Sequence, residues 1–351
     1  MGESIKLRRQ ILRISLRDLA EQIGVSHTTV DKYEKNKLVP DSQTLIQLSE
    51  RLQIPIASLL RPQNQQIQLN EIAFRSKKMK KRDEKQINAE TKEWLERYLQ
   101  IEKLSGNHRT FEMPLGFQKK VSSFDDAEKA ANDLRKVWDI GTDPIENLTN
   151  LLEDKGIKIG IIRGITKFDA LFTEYGTNPI IVMKEGLPRA RQRFSLAHEL
   201  GHCLLDVEEG VDTEKVMHRF AGSLLVPSEK VIFELGNKRN KLSLKELRIL
   251  KEKYGLSMGA WLYRAKDLGI ISPVFYVEMQ KLFSSQGWNS KEPGDEIKGE
   301  VPVRMTSMVF KSHAEGLIST SKAAELLNQN ISTFCSFEGE SDSLQSAILC
   351  G

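Results

Sequence analysis

Between positions 5 and 60 the apolar residues return every three to four places in short bursts, and the bursts are framed by serine and glycine. Ser15 precedes a run over 16–23 that stops at Gly24, and Ser26 precedes a second run over 27–34. A serine oxygen accepts from the free amides of a helix's first turn, and glycine adopts the left-handed turn that ends one. The pattern predicts five short helices here, with Leu19, Ile23, Val30, Tyr33, Leu45, Leu48, Leu52 and Leu59 turned inward. Two of them, joined by the tight turn at Gly24, have the layout of a helix-turn-helix.

Beyond a glutamine-rich stretch at 63–68, a longer helical pattern covers 85–104, with Ile87, Trp94, Leu95, Tyr98, Leu99 and Ile101 on its apolar side. Helical patterns follow at 125–138 and 145–155. The period then shortens, and 157–162, 170–173 and 179–183 read as three short strands, the last preceded by the turn Gly176-Thr177-Asn178. Residues 180–183 or a neighbouring strand are expected to form the sheet edge, and the same apolar run equally suits a central strand. Helical spacing returns around 194–205 and at 214–226, 243–254, 257–268, 305–315 and 321–328, before a polar end from Ser336. The fold class expected is α+β. Its divisions are 1–62, a helical N-terminal domain; 63–120, a linker and connecting helix; 121–276, a domain with a small sheet; and 277–351, a C-terminal helical region.

One stretch makes a chemical claim. Phe194-Ser195-Leu196-Ala197-His198-Glu199-Leu200-Gly201-His202 sets H-E-x-x-H among residues that are otherwise apolar or small. At about 100° and 1.5 Å per residue, His198 and His202 fall roughly 40° apart and about 6 Å along one helical face, so both imidazoles reach a single cation. Glu199 projects beside them, placed to take a proton from water rather than to ligate. The competing reading is a hydrogen-bonded histidine pair. A zinc ion that keeps an open position needs a third protein ligand. The next helix, capped by Asp212 or Thr213, buries Met217, Phe220, Ala221, Leu224 and Leu225, and one step back along that stripe is Glu214. His218, one turn later, is the rival ligand.

The run from Arg191 to His202, followed by Glu214, Met217-His218-Arg219-Phe220-Ala221 and Leu224-Leu225-Val226-Pro227, resembles the ImmA/IrrE family of zinc metallopeptidases. The resemblance implies a zincin-like domain in which His198, His202 and Glu214 bind Zn2+ and Glu199 is the catalytic base. It also implies a narrow substrate, a transcriptional repressor whose cleavage releases stress, phage or mobile-element genes. Met217 and His218 stand where the family usually has Ala-Asn. Tyr175, Arg193 and His218 are the candidates for a further donor to the oxyanion.

The segment from Ser15 to Ser26, continued by Val30-Asp31-Lys32-Tyr33-Glu34-Lys35-Asn36-Lys37 and closed by Pro40, resembles the Xre/Cro-type repressor family over residues 5–60. That resemblance implies a double-stranded DNA operator as partner, read by His27, Thr28, Thr29 and Lys32 from the second helix of the pair. Lys35 and Lys37 would then grip phosphate, and the two half-sites such readers use imply a homodimer. No arginine, asparagine or glutamine lies on the exposed face of the reading helix, so threonine methyl contacts and DNA shape carry more of the discrimination.

Composition narrows the setting. The chain has 351 residues, 39% of them hydrophobic, which is more than one typical domain requires. No stretch is long enough to span a membrane, and the basic start over 1–13 lacks an apolar signal core, so a cytoplasmic protein is expected. Cys203, Cys335 and Cys350 have no metal-type spacing and suggest no disulfide framework. The net charge of +4 is uneven: positives gather over 1–61 and in a dense run at 75–82, which is a solvated helix face or a further phosphate contact. Two functions fit: a peptidase delivered to its substrate at an operator, and a regulator or antitoxin-like repressor whose peptidase-like domain senses or binds without cutting.

Overall fold

Serine caps start the second and third helices. In the computed structural model of the protein, residues 1–54, 56–60, 69, 80–117, 120–164, 168–294 and 299–336 are described. The glutamine-rich stretch at 63–68, the basic run before Lys80 and the polar end past Ser336 lie outside them. Ser15 caps α2 (Leu16–Gln22) in a capping box with Asp18, and Ser26 caps α3 (His27–Glu34), as the spacing predicts. With α1 (Gly2–Ile11), α4 (Ser42–Leu52) and α5 (Ile56–Leu60) they enclose Ile5, Leu19, Ile23, Val30, Leu48, Leu52 and Leu59. Leu45 is only half-buried, because the inward line of α4 runs through Thr44, Leu48 and Leu52 at intervals of four. The long helix α6 (Lys81–Ser105) is tied to the first helices by Arg8 to Glu93 at 2.5 Å and Arg13 to Asp83 at 2.8 Å.

The chain divides into two units, residues 1–108 with 303–351, and residues 109–302. The second unit opens with β1 (Lys120–Val121), α7 (Phe124–Val137) and α8 (Leu148–Asp154), then builds its sheet from β2 (Lys158–Ile162), β3 (Ala170–Tyr175) and β4 (Asn178–Lys184). A two-residue turn with Gly176 at φ +59° joins the last two strands, a conformation glycine adopts without strain. The strand order is β2-β4-β3, with β4 parallel to β2 and antiparallel to β3. This corrects the expectation that 180–183 form the edge. Every residue from 179 to 183 is buried, so the apolar run is that of a central strand covered on both faces. The edges are β2 and β3.

After the sheet come α9 (Arg189–Leu204), β5 (Asp206–Val207), α10 (Thr213–Leu225), α11 (Ser228–Leu235), α12 (Leu244–Tyr254), α13 (Met258–Asp267) and α14 (Pro273–Ser285). Met217, Phe220, Ala221, Leu224 and Leu225 of α10 are all buried against α7 and α9. At Gly201 a Cβ would stand 2.7 Å from Met217 Sδ and 3.1 Å from Phe220 Cδ1, so its absence lets α9 and α10 lie close. The sequence pattern gave no sign of α11, which buries only Val231 and Leu235 while exposing Ile232 and Phe233. It also drew a boundary at 276 through what is a continuous helix, α14, which Ser272 caps and Met279 and Phe283 anchor.

Two more helices, α15 (Arg304–Ala314) and α16 (Thr320–Leu326), return the chain to the first unit. Met308, Val309, Ile318, Ala323, Leu326 and Phe334 pack with Tyr98 and Ile101 of α6. That core joins stretches more than 200 positions apart, so the sequence divisions at 62, 120 and 276 differ from those in space, which fall at 108/109 and 302/303.

Candidate functional site

The H-E-x-x-H segment lies in the last two turns of α9, whose inner face is Leu196, Ala197, Leu200 and Leu204. His198 and His202 are the polar part of this packed helix, with side chains only 12% and 6% exposed. Asp212 caps α10 through the amide of Lys215, which sets Glu214 in the first turn facing the pair. Glu214 comes 3.3 Å from His198 Nε2 with one carboxylate oxygen and 3.6 Å from His202 Nε2 with the other, and the two imidazole nitrogens are 3.2 Å apart. The carboxylate is half-exposed, which differs from the core-facing side chain that the stripe on α10 predicted. It lies on the solvent side of the histidines and closes the triangle from there.

One nitrogen from each histidine and one oxygen of Glu214 lie within 4.8 Å of one another, a spacing that a single cation can bridge. Two neutral imidazoles and a carboxylate also match the preference of zinc for nitrogen and oxygen ligands.

Beside the triangle opens a cavity of about 670 Å³, which His198, Glu199, Glu214 and His218 all line. His218 is exposed, and its ring centroid is 4.9 Å from that of His198. Of the three residues considered as oxyanion donors, His218 alone lines the cavity. Arg193 is 1% exposed and is spent on Glu300 at 3.0 Å and the carbonyl of Ile145 at 2.6 Å. Burial pushes its pKa down against the pull of Glu300. Gln192 grips the backbone of Glu300 from the same helix, so α9 is braced from behind by a buried carboxylate. The chain's motif spacing carried no sign of this brace, because Glu300 is about a hundred positions away.

A second hidden carboxylate steadies α10. Glu128 of α7 accepts from Arg264 at 2.7 and 2.8 Å, from Ser223 at 2.6 Å, and pairs with Arg219 at 2.7 Å. Burial opposes its charge, yet the hydrogen bonds and positive charge of Arg264, with Ser223 and Arg219, hold the carboxyl below its usual range.

Two family comparisons match separate stretches of the chain. The peptidase family described as IrrE N-terminal-like domain matches residues 152–266, and the helix-turn-helix family matches residues 5–59. The chain joins a helix-turn-helix domain to an IrrE-type peptidase-family domain. Among curated proteins none matches. Among solved structures, PlcR from Bacillus thuringiensis, crystallised with a peptide and DNA, is 10% identical over 98% of this chain and 97% of its own, with a TM-score of 0.17. ComR from S. thermophilus, crystallised with DNA and its signalling peptide, is 13% identical over 99% and 98%, also at 0.17.

In the helix-turn-helix domain, His27, Thr28 and Lys32 are exposed and Thr29 is half-buried on α3. The hydroxyls of Thr28 and Thr29 lie 2.7 and 2.8 Å from Ser26 Oγ, so their methyl groups are the parts left to face outward. Lys37 is exposed, and exposed Lys35 pairs with Asp31 at 2.8 Å. In the IrrE-type domain the sequence reading passed over Tyr263 and Tyr276, which line the cavity opposite α9. A large aromatic on the otherwise solvated side of α13 was the available signal.

Proposed function

We propose that the protein is a DNA-binding zinc metallopeptidase that cleaves a transcriptional repressor or a related regulator. The observation that carries this reading is the approach of His198, His202 and Glu214 to within 3.6 Å of one another beside a cavity that Glu199 also lines. Zinc held by these three residues supplies Lewis acidity, lowering the pKa of a neighbouring water toward about 7 and polarising a peptide carbonyl. Glu199 takes the proton of the attacking water and returns it to the amine that leaves. An extended peptide pairs with the outer edge of β3, where Asp169 and Ala170 line the cavity. His218 donates to the carbonyl oxygen as negative charge develops on it.

The helix-turn-helix domain brings this chemistry to an operator. His27, Thr28, Thr29 and Lys32 meet base edges, while Lys35 and Lys37 meet phosphates, in a cytoplasmic homodimer. Among the described residues no helix is long and apolar enough to cross a membrane.

Glu199→Gln in cells is the test. Expression of the target genes should stay repressed, while the purified variant keeps one zinc per chain. Derepression equal to that of the unchanged protein would leave the other reading, a regulator whose peptidase-like domain acts without cutting.

A further inference from the structure

Part of the wall of the cavity beside the metal triangle is aromatic. Tyr263 of α13 and Tyr276 of α14 meet edge to face with centroids 6.2 Å apart, and Trp288 meets Phe283 in the same manner at 5.3 Å. Phe194, one turn before His198 on α9, continues this surface to the triangle through His218, whose ring is 5.7 Å from it. The small side chain of Ala260 on α13 also lines the cavity. Tyr263 is 42% exposed, and Phe194, Tyr276 and Trp288 are half-buried, which leaves ring faces open to the cavity.

These rings are held in place. Lys266 lies 4.4 Å from the centroid of Tyr263 and 5.3 Å from that of Tyr276, a cation shared by both rings. Trp288 donates its backbone N–H to the carbonyl of Phe283, and nearby Glu292 accepts from the amides of Met258 and Gly259 while pairing with Lys251 at 3.0 Å.

Three basic residues on the cavity rim are already matched by carboxylates. Arg191 pairs with Asp169 at 2.6 Å, Lys251 with Glu292, and Arg189 with Glu300 at 3.6 Å. A charged substrate side chain would have to displace one of these pairs, whereas an apolar one buries area against rings without such a cost.

We propose that this wall is a specificity subsite that accepts one large apolar side chain of a peptide, an aromatic one most strongly. The proposal rests on the peptidase reading for its substrate class, but side-chain preference is measurable without cleavage. Blocked hexa-alanine peptides carrying one central Phe, Leu, Ala, Lys or Glu are titrated calorimetrically into the zinc-loaded, full-length Glu199→Gln chain. The Phe peptide should bind about 10- to 100-fold more tightly than the Ala peptide, with Leu between them and Lys and Glu no better than Ala. Tyr263→Ala, an exposed position, should shrink the Phe preference to about threefold or less. Ala260→Leu, which enlarges that lining side chain, should lower Phe binding and leave Ala binding unchanged. Equal affinity for all five peptides, no measurable binding, tighter binding of Lys or Glu, or a preference untouched by both substitutions overturns the subsite. A Phe preference in a chain that cuts no peptide keeps the subsite and removes hydrolysis; cutting without preference does the reverse.

Discussion

The residues proposed to act in the helix-turn-helix domain point outward, and those in the IrrE-type domain point at one another. His27, Thr28 and Lys32 stand on the solvated side of α3, where Thr28 also touches the Ser26 cap. His198, His202 and Glu214 come from two helices and share a triangle less than 4 Å on each side. An outward face is a property of one helix and costs the fold little. A converging set depends on every contact that fixes where the second helix lies, here Gly201 against Met217 and Phe220 and the Glu128 cluster behind α10.

Substitutions should separate the two regions sharply. His202→Ala is expected to abolish zinc retention and lower peptide cleavage at least about 1,000-fold, read from metal analysis and turnover. Zinc held at one per chain by that variant would break the converging picture. Glu128→Ala strands buried Arg264 without its carboxylate, while Arg219 keeps Asp267 and Asp125, and should cost about 3–5 kcal/mol in denaturant unfolding, provided its midpoint tracks the IrrE-type domain. The folded pKa of Glu128 is depressed, so its contribution is present above about pH 4.5 and is lost as pH falls through the folded value.

On the outward-facing side, Thr28→Ala with Lys32→Ala should weaken specific operator binding about 10- to 100-fold and flatten the salt dependence by about one unit of slope. Unfolding free energy should move by less than about 0.5 kcal/mol, and a larger loss would mean that α3 is not a free reading face. The smallest effect is expected at Glu96 of α6. Burial, reinforced by Glu93 and Glu3, raises its pKa to about 7. The folded chain therefore keeps a proton that the unfolded chain releases, and stability falls as pH rises from about 4.5 to about 7. Glu96→Gln should stabilise the protein by about 1–2 kcal/mol at pH 8, allowing for solvent screening, and change little at pH 4.5. Parallel urea titrations at the two pH values decide this.

Much of this was legible because the signals are local. Ser15, Gly24 and Ser26 delimit the helix-turn-helix by capping chemistry that spans three or four residues. The i,i+4 histidines needed only helical geometry, and Glu214 only the cap and stripe of the helix that follows. Residues 180–183 were misjudged because apolar alternation is lost both in a central strand and in a fully covered edge, and the pairing partner alone distinguishes them. No local pattern announced α11 or the braces made by Glu128 and Glu300.

The sequence by itself determined which residues are proposed to carry the chemistry and on which helices they sit, since backbone periodicity and capping act over a few bonds. Tertiary structure decided that β4 is central, that α15 and α16 join the core of α6, and that Tyr263 and Tyr276 line the same cavity as His198 and Glu214. Those outcomes arise from packing between segments that can lie more than two hundred residues apart, where burial of shared apolar area outweighs the ordering cost of bringing them together.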